Sequence, residues 1–432
     1  MESGLAARNG GRIGLAALVA ILLLGLGLRV GEAWDGRAPV YDATAYAAIA
    51  ANLDAGNGFT VGPAATQPSS NYSPGLPLLA AGIHKISGGV HERLVRVILA
   101  LIGSLAVLFT YLIGRRLSGP AAGLIGAAAV AIYPALIEYQ GMLMSEPLAA
   151  TLLSGGVLAM FWASDRDAGW VDWLLPGALL GATALVRPEY LGIAFLLALI
   201  VFARRARTDW RRSLAQAVVL LAGVVLIVAP WTIRNAVALD RFVPISTGGG
   251  QVLFAGTYLP SDGDPEKVGA EVVERHPELF APKAAQQLRL EQILDRLAAS
   301  RYPDLETDQA LSRMGREQLW DDVSEEPFEF AGFLAAKVSR IWSHGPRDVM
   351  REPGWEVFHW ALVAFGLAGL CVLVWRRRWE VLVLATVFLG ITALSAILVA
   401  SPRRVLVMLP LVAALAGVAA TWLWDRASPG RT

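Results

Sequence analysis

Residues 214–231 read LAQAVVLLAGVVLIVAPW, a run of 18 residues without a charged side chain. As an α-helix such a run is about 27 Å long, close to the thickness of the hydrocarbon core of a bilayer. Because hydrocarbon offers no water to the backbone, a run of this length and polarity predicts a transmembrane helix. This stretch therefore decides the structural class to which the chain is assigned.

Further apolar runs flank this stretch on both sides. Together with it they predict an all-α polytopic membrane protein with about ten transmembrane helices. The other runs cover Ile13–Val30, Val95–Ile113, Ala121–Ile137, Pro147–Trp162, Val171–Val186, Leu191–Ala203, Val357–Trp375, Val381–Ala400 and Val405–Trp424. The first run has no small-residue cleavage motif, so we expect a membrane anchor rather than a signal peptide.

Composition excludes several other classes of protein. Apolar residues make up 55% of the chain and charged residues 17%, against about 45–50% and about 25% in soluble domains. Intrinsic disorder is excluded by this apolar content, and a disulfide scaffold is excluded because Cys371 has no second cysteine to pair with. Gly248-Gly249-Gly250 lacks the Lys-Ser/Thr of a phosphate-binding loop, so we expect no nucleotide cofactor.

The formal net charge of +1 combines two unlike regions, and it suggests no nucleic-acid partner. Residues 236–352 hold 20 Asp and Glu against 13 Lys and Arg, while the rest of the chain is basic. Its arginines recur in alternate loops, which the positive-inside rule places in the cytoplasm. The pattern predicts helices 1–7 in residues 1–234 with a long external loop at 31–91, a helical external cap at 235–356, and helices 8–10 in residues 357–432.

Carboxylates at the membrane surface are the sparse chemical signal, because ionisable groups near hydrocarbon are costly. Asp42 precedes Tyr46 by one turn on a surface helix that the apolar spacing predicts from about Asp42 to Leu53. Glu146 begins the fourth run, just before Pro147. Each also has a possible structural role: Asp42 as a helix cap, and Glu146 as an acid favoured by the helix dipole. The two could instead share a divalent metal, or one could act as general base on an acceptor hydroxyl.

Several other polar residues lie on the predicted external side. The positive-inside rule does not require arginines there. Snorkelling towards lipid headgroups explains them structurally, whereas the planar guanidinium favours capture of a phosphate. The five histidines show no metal-type spacing, and His344 is the one expected to contact substrate. The predicted substrate-binding set is Tyr46, Tyr72, Arg187, Glu189, Arg234, Asn235, His344, Arg403 and Arg404.

Segments containing these residues resemble a known family. They are Asp42–Tyr46 with its D-x-x-x-Y pattern, Tyr72–Pro77, Met144–Pro147, Pro230–Asn235 and Ser401–Arg404. In this order they resemble the GT-C integral-membrane glycosyltransferases, and most of all the bacterial family 39 proteins related to protein O-mannosyltransferases and lipid A aminoarabinose transferases. The resemblance implies a transmembrane bundle with surface helices in the first external loop and a variable soluble part.

The resemblance also implies an activity. A polyprenyl-phosphate donor would give its sugar to a hydroxyl of a lipid, glycan or protein at the external face of a bacterial inner membrane. Asp42 matches the catalytic Asp of the first loop and Glu146 the second acidic position, while Arg234 and Arg403 match positions near the donor phosphate. Ala43 stands where many relatives carry a second acid, and Tyr72-Ser73 stands where aminoarabinose transferases carry Glu-Lys.

Two other functions would use the same architecture. A transporter or flippase of a lipid-linked saccharide would need the arginines but no external acid. Transporters commonly show internal repeats, and no convincing repeat is present in the sequence. A non-enzymatic scaffold would use the acidic cap to bind a partner, and the clustering of polar residues on one side argues modestly against it.

Overall fold

The computed structural model describes residues 2–40, 42–62, 67–165, 169–261, 264–280 and 288–428. Within these ranges the chain is helical and contains no β-strand. The α-helices are α1 (Glu2–Asp35), α2 (Asp42–Asp54), α3 (Gly75–Ser87), α4 (Glu92–Ser118), α5 (Pro120–Ile132), α6 (Pro134–Gly141), α7 (Glu146–Asp165), α8 (Leu174–Val186), α9 (Tyr190–Arg205), α10 (Trp210–Leu239), α11 (Gly249–Thr257), α12 (Pro265–Arg275), α13 (Leu290–Arg301), α14 (Thr307–Glu325), α15 (Pro327–Ser343), α16 (Pro353–Trp375), α17 (Glu380–Ile397) and α18 (Arg403–Ala427). The 3₁₀ helices are Trp170–Trp173, Leu259–Ser261 and Asp348–Arg351.

Among the described residues, 7 helices are long and apolar enough to cross a membrane, namely α1, α4, α7, α10, α16, α17 and α18. The pair α5 and α6 supplies an eighth candidate, bent by 46° at its break. The fifth and sixth predicted spans fall on shorter helices, Trp170–Val186 and Tyr190–Arg205. The chain is thus a multi-pass membrane protein in which seven or eight candidates reach full length where the sequence pattern predicts about ten.

The chain divides into two compact units. The first consists of Met1–Ile245, His344–Phe388 and Val405–Thr432, and the second of Ser246–Ser343 and Leu389–Arg404. In the first unit α8 and α10 pack backbone against backbone. A Cβ on Gly177 would overlap the carbonyl oxygen of Leu220, and one on Gly223 would overlap that of Leu174. Small residues allow such close packing of helices in a membrane.

The break between α5 and α6 follows from Pro134. Proline has no N–H and forces the residue before it out of the helical region, and Tyr133 is accordingly extended (φ −67°, ψ 113°). Arg29 of α1, which is 1% exposed, reaches the end of α5. Its Nη1 donates to the Ala131 carbonyl (3.0 Å) and its Nη2 to the Val130 carbonyl (2.8 Å). A cation thus occupies the negative end of a helix that has lost its hydrogen-bond partners.

The long segment 31–91, called loop 1 below, contains α2 and α3. The helix predicted from about Asp42 to Leu53 is confirmed, and its apolar face is buried through Ile49. The side chain of Asn52 donates to two backbone carbonyls of the turn that follows, at 3.2 and 2.9 Å. A Cβ on Gly75 at the start of α3 would clash with Val186 at the end of α8. Loop 1 is therefore folded onto the helices of the first unit.

The second unit has a core of its own, formed mainly by α11 to α14. Leu290, Ile293, Leu294 and Leu297 recur at helical spacing on α13 and pack into this core, and Pro327 begins α15. The buried core residues include Phe254, Val268, Val272, Ile293, Leu294, Leu297, Leu311 and Met314.

The three glycines at 248–250 build the start of α11. Gly248 has a positive φ of 93°, and the amides of Gly248 and Gly250 both donate to Oδ1 of Asp308, at 2.9 and 2.8 Å. A Cβ on Gly250 would overlap the Asp308 carbonyl oxygen. The positive end of α11 is thus bound by a carboxylate from the start of α14, which explains the glycines without an external anion.

Replacing Asp308 by alanine is expected to lower the free energy of unfolding by about 1–3 kcal/mol, because two amides lose a charged acceptor. Thermal unfolding of the purified variant measures the loss. Asp304→Ala, at an exposed position just before α14, serves as the matched control and is expected to change stability by less than about 0.5 kcal/mol. Equal effects of the two substitutions would show that the capping bonds contribute nothing.

Lys337 of α15 is completely buried, with its Nζ donating to the Gly256 carbonyl. Burial, with Arg404 and Arg340 nearby, lowers the pKa of Lys337 to about 7. The unfolded chain therefore binds more protons than the folded one between about pH 7 and 10.5, and stability rises with pH there. The expected slope is up to about 1.4 kcal/mol per pH unit. Lys337→Met is expected to remove this contribution, whereas Lys267→Met, at an exposed position, should keep it when unfolding is followed across that range.

Candidate active site

The surface helix α2 brings Asp42 and Tyr46 to the same side of loop 1. Asp42 is the first residue of the helix and Tyr46 lies one turn later, with its side chain 6% exposed. The ring of Tyr46 meets that of Tyr72 edge to face, with centroids 5.9 Å apart. The two predicted tyrosines of the substrate set are therefore neighbours, although 26 positions separate them in the sequence.

The hydroxyl of Tyr46 lies where three elements meet. It is hydrogen-bonded to the side chain of Ser145 and interacts electrostatically with the charged groups of Asp42, Glu146 and Arg187. Desolvation raises the pKa of Tyr46 most, and the two carboxylates raise it further. Tyr46 therefore stays protonated at physiological pH and can donate a hydrogen bond. In the sequence Ser145 stands out only as part of Met144–Pro147, since a serine beside a buried acid has no pattern of its own.

Glu146 begins α7 and is completely buried. Its Oε1 accepts from Arg187 Nη1 at 3.1 Å, and Arg187 Nε donates to Glu189 Oε1 at 2.9 Å. Arg187 follows α8 in an extended conformation, which Pro188 imposes on the residue before it. The structure thus brings together Asp42, Tyr46, Glu146, Arg187 and Glu189, which come from three separate stretches of sequence.

Arg234 and Asn235, in the last two turns of α10, contact backbone groups rather than side chains of the acidic group. Arg234 Nη1 donates to the Ser69 carbonyl (2.9 Å) and Nη2 to the Phe59 carbonyl (3.3 Å), both in loop 1. The buried side chain of Asn235 donates to the carbonyls of Val243 (3.1 Å) and Ile245 (3.0 Å). Both residues therefore fix the backbone around α10, and their contact with a substrate stays a prediction.

Trp231 of α10 also contacts both loop 1 and the segment after α10, and the sequence did not reveal this role. Its Nε1 donates to the Ile245 carbonyl at 2.7 Å, its ring lies edge to face with Phe59 at 4.8 Å, and the Arg234 guanidinium lies 4.9 Å from the ring centroid. The sequence feature that could have pointed to Trp231 is the occurrence of Pro230–Asn235 together with the segment that follows it, which reads FVPIST at 242–247.

A second group of ion pairs supports the segment that leads to Glu146. Glu138 on α6 lies 2.8 Å from Arg347 Nε and 3.6 Å from Arg37 Nη2. Arg37 also pairs with Glu32 at 2.6 Å. Arg347 adopts a φ of 84°, which is strained for a residue with a side chain. Ion pairing offsets that strain, and it ties α6 to the segment that follows α1 and to the stretch His344–Phe388 of the first unit.

The remaining predicted residues lie elsewhere in the chain. His344 belongs to the first unit and is exposed. Arg403 and Arg404 belong to the second unit, where both are half-buried at the start of α18 and Arg404 Nη1 donates to the Val399 carbonyl at 2.6 Å. Their contact with a donor phosphate stays a prediction.

The sharing of a divalent metal by Asp42 and Glu146 can be tested against the geometry. Oε1 of Glu146 is taken by the Arg187 guanidinium, whose charge would repel a dication. In the part of the chain that the structure describes, no group of three or more His, Cys, Asp or Glu residues is placed to hold a metal. This donor set does not fit a metal bridging the two carboxylates.

Comparison with known proteins gives one family match. Residues 69–233 match the family described as dolichyl-phosphate-mannose-protein mannosyltransferase. This range contains Glu146 and Arg187 but begins after Asp42. No curated protein matches the sequence.

Solved structures give a match over nearly the whole chain. The oligosaccharyltransferase AglB of Archaeoglobus fulgidus, in complex with an inhibitory peptide and a dolichol-phosphate, has 19% sequence identity and a TM-score of 0.59, over 97% of this chain and 51% of that one. The same enzyme tethered to an acceptor peptide has 18% identity and a TM-score of 0.59, over 97% and 50%. The chain thus spans about half the length of these neighbours.

Two further solved structures are similar to this chain. The archaeal enzyme has also been solved with Zn and sulfate, at 17% identity and a TM-score of 0.54 over 95% of this chain and 49% of that one. ArnT of Cupriavidus metallidurans bound to undecaprenyl phosphate has 15% identity over 98% and 80% of the chains, but a TM-score of only 0.39. The motif resemblance is confirmed at the level of fold: the chain has the fold of the GT-C glycosyltransferases, and its residues 69–233 match the model of the dolichyl-phosphate-mannose-protein mannosyltransferases.

Proposed function

We propose that the protein is a membrane glycosyltransferase that moves a sugar from a polyprenyl-phosphate donor to an acceptor hydroxyl at the external face of a bacterial inner membrane. The observation that carries the proposal is the convergence of Glu146 and Arg187, which lie outside loop 1, on Asp42 and Tyr46 of loop 1. Such a cluster next to apolar spans is costly unless it has a chemical role. A neighbour of the same fold was solved with a dolichol-phosphate, which supports a lipid-linked donor.

Asp42 is proposed as the general base. Its carboxylate takes the proton of the acceptor hydroxyl while the acceptor oxygen forms a bond to the anomeric carbon of the sugar. The bond from that carbon to the phosphate oxygen breaks, and its electrons leave with the polyprenyl phosphate. Tyr46, protonated and paired with the ring of Tyr72, donates a hydrogen bond to the sugar and forms a wall of its pocket.

The charge that develops on the leaving phosphate needs cationic partners. The cluster around Tyr46 is net negative and does not provide them, since Asp42, Glu146 and Glu189 outnumber Arg187. The proposal therefore assigns the phosphate to an arginine of the predicted set outside this cluster, Arg234. Arg234 donates to the backbone of loop 1, so loss of this residue would also disturb the loop.

Purified protein incubated with radiolabelled undecaprenyl-phosphate and decaprenyl-phosphate sugars tests the proposal. Label is expected to move to an acceptor fraction of membrane lipid, glycan or protein, with release of one polyprenyl phosphate for each sugar. Translocation of intact donor across proteoliposomes without release would indicate a flippase instead. If neither transfer nor translocation occurs with any sugar of a donor panel, the enzymatic assignment is wrong.

A further inference from the structure

Arg187 lies between two carboxylates of its own chain. Its Nη1 is 3.1 Å from Glu146 Oε1 and its Nε is 2.9 Å from Glu189 Oε1. Glu146 has no exposed surface, and the side chains of Arg187 and Glu189 are each 14% exposed. Two of the three guanidinium nitrogens therefore already donate to anions supplied by the protein.

The charges around Glu146 make this pairing necessary. A carboxylate withdrawn from water costs several kcal/mol unless a counter-charge compensates it. The groups that act on the neighbouring Tyr46 hydroxyl include Asp42 and Glu146, which are negative, and Arg187, which is positive. Glu189 adds a third carboxylate on the far side of the guanidinium. Arg187 is thus the counter-charge on which the buried Glu146 depends.

We infer that Arg187 is a positioning residue that holds Glu146 as a buried carboxylate beside Tyr46, and that it is not a ligand of the donor phosphate. A phosphate at this guanidinium would displace a carboxylate and come close to two others, which like-charge repulsion opposes. Through Glu146 and the Ser145 beside it, Arg187 fixes the wall against which the Tyr46 hydroxyl rests. The kinetic consequences rest on the proposed function, whereas the structural ones do not.

A stability comparison tests the pair without any assay of activity. Arg187→Met leaves Glu146 buried without its cation, and the unfolding temperature is expected to fall by roughly 5–10 °C. The double variant Arg187→Met with Glu146→Gln removes the orphaned charge and should recover more than half of that loss. Arg187→Lys, which keeps the charge, should lose less than Arg187→Met. Arg351→Met, at an exposed arginine, is the matched control and should unfold as the wild type does.

Kinetics separates positioning from phosphate binding. If Arg187 positions Glu146, Arg187→Met lowers kcat by about 100-fold while KM for the polyprenyl-phosphate sugar changes by less than about threefold. Arg187→Lys should restore part of kcat. A phosphate ligand predicts the opposite split, with KM raised tenfold or more and kcat largely kept.

Two results would overturn the inference. One is a rise in KM for the donor without a fall in kcat. The other is an unfolding temperature of the double variant no higher than that of Arg187→Met, since the charge of Glu146 would then not be the cause of the loss. Failure of the wild type to transfer sugar would count against the proposed function alone, because the unfolding temperatures still decide whether Arg187 compensates Glu146.

Discussion

Replacing Arg29 by leucine is expected to lower the free energy of unfolding by about 3–5 kcal/mol, the largest stability loss predicted for this protein. Arg29 donates to the Val130 and Ala131 carbonyls at the end of α5 and to the Gly25 carbonyl of its own helix. Pro134 cannot supply the N–H that would continue the helix. Leucine would therefore leave buried carbonyls without a donor in a region where water cannot replace it.

Unfolding of the purified variant in detergent, followed by temperature-dependent loss of the monodisperse peak, measures this effect. Arg29→Lys is expected to lose about half as much, because one ammonium cannot serve both carbonyls with the geometry of a planar guanidinium. Leu28→Ala, at the adjacent and partly exposed position, is the control for a change in the apolar surface of α1. It is expected to shift stability by less than about 1 kcal/mol.

A variant Arg29→Leu as stable as the wild type would contradict this account. It would show that the broken span satisfies its carbonyls without α1, through a rearrangement of Tyr133 or of the bend itself. The bend is then expected to change as well, which cross-linking of cysteine pairs placed on α1 and α6 would detect.

Arg29 also shows where sequence analysis reaches its limit. The residue lies inside the apolar run Ile13–Val30, which predicts a simple anchor. Its role depends on Pro134, some hundred positions later, and on the crossing of α1 with α5. Hydropathy locates the two apolar runs, Ile13–Val30 and Ala121–Ile137, but it contains no information on which carbonyls a break will expose.

The acidic cluster was predictable because its chemistry is rare in such a sequence. Asp42 and Glu146 stand out as carboxylates beside apolar runs, and the spacing to Tyr46 follows from one helical turn. Arg187 and Arg234 were selected as arginines on the predicted external side, where the positive-inside rule does not require them. Their partners were not predictable. Arg187 pairs with Glu146 and Arg234 donates to backbone carbonyls because tertiary packing brings these groups together.

The glycine segment 248–250 of the second unit is another case in which the partner could not be predicted. The missing Lys-Ser/Thr argues against a phosphate-binding loop, but the positive role of the glycines became visible only with Asp308 folded onto them. The two amides lie 60 and 58 positions from this carboxylate in the sequence. Local sequence therefore predicts that a special backbone is present at 248–250, while the partner that uses it is a property of the fold.

Asp42→Asn is expected to lower kcat for sugar transfer by about 10²–10⁴-fold, the range over which general bases contribute to catalysis. Asparagine is close to aspartate in shape and still favoured at a helix start, so α2 should keep its place and the unfolding temperature should change little. The amide cannot accept the proton of the acceptor hydroxyl, so the chemical step is the one affected. Initial rates with saturating donor measure the fall.

The same helix provides the control, because α2 ends at Asp54. Asp54→Asn makes the identical chemical change 12 positions away and should leave kcat within about twofold of the wild type. Binding of a fluorescent polyprenyl phosphate should be equal in wild type, Asp42→Asn and Asp54→Asn, since the carrier lipid does not engage the base. If Asp42→Asn turns over as fast as the wild type, another group is the base. Glu146 would be the first candidate, because Arg187 holds it beside the same tyrosine. Loss of carrier binding in Asp42→Asn alone would instead make Asp42 part of the donor site, and the proton would then have to leave by a different route.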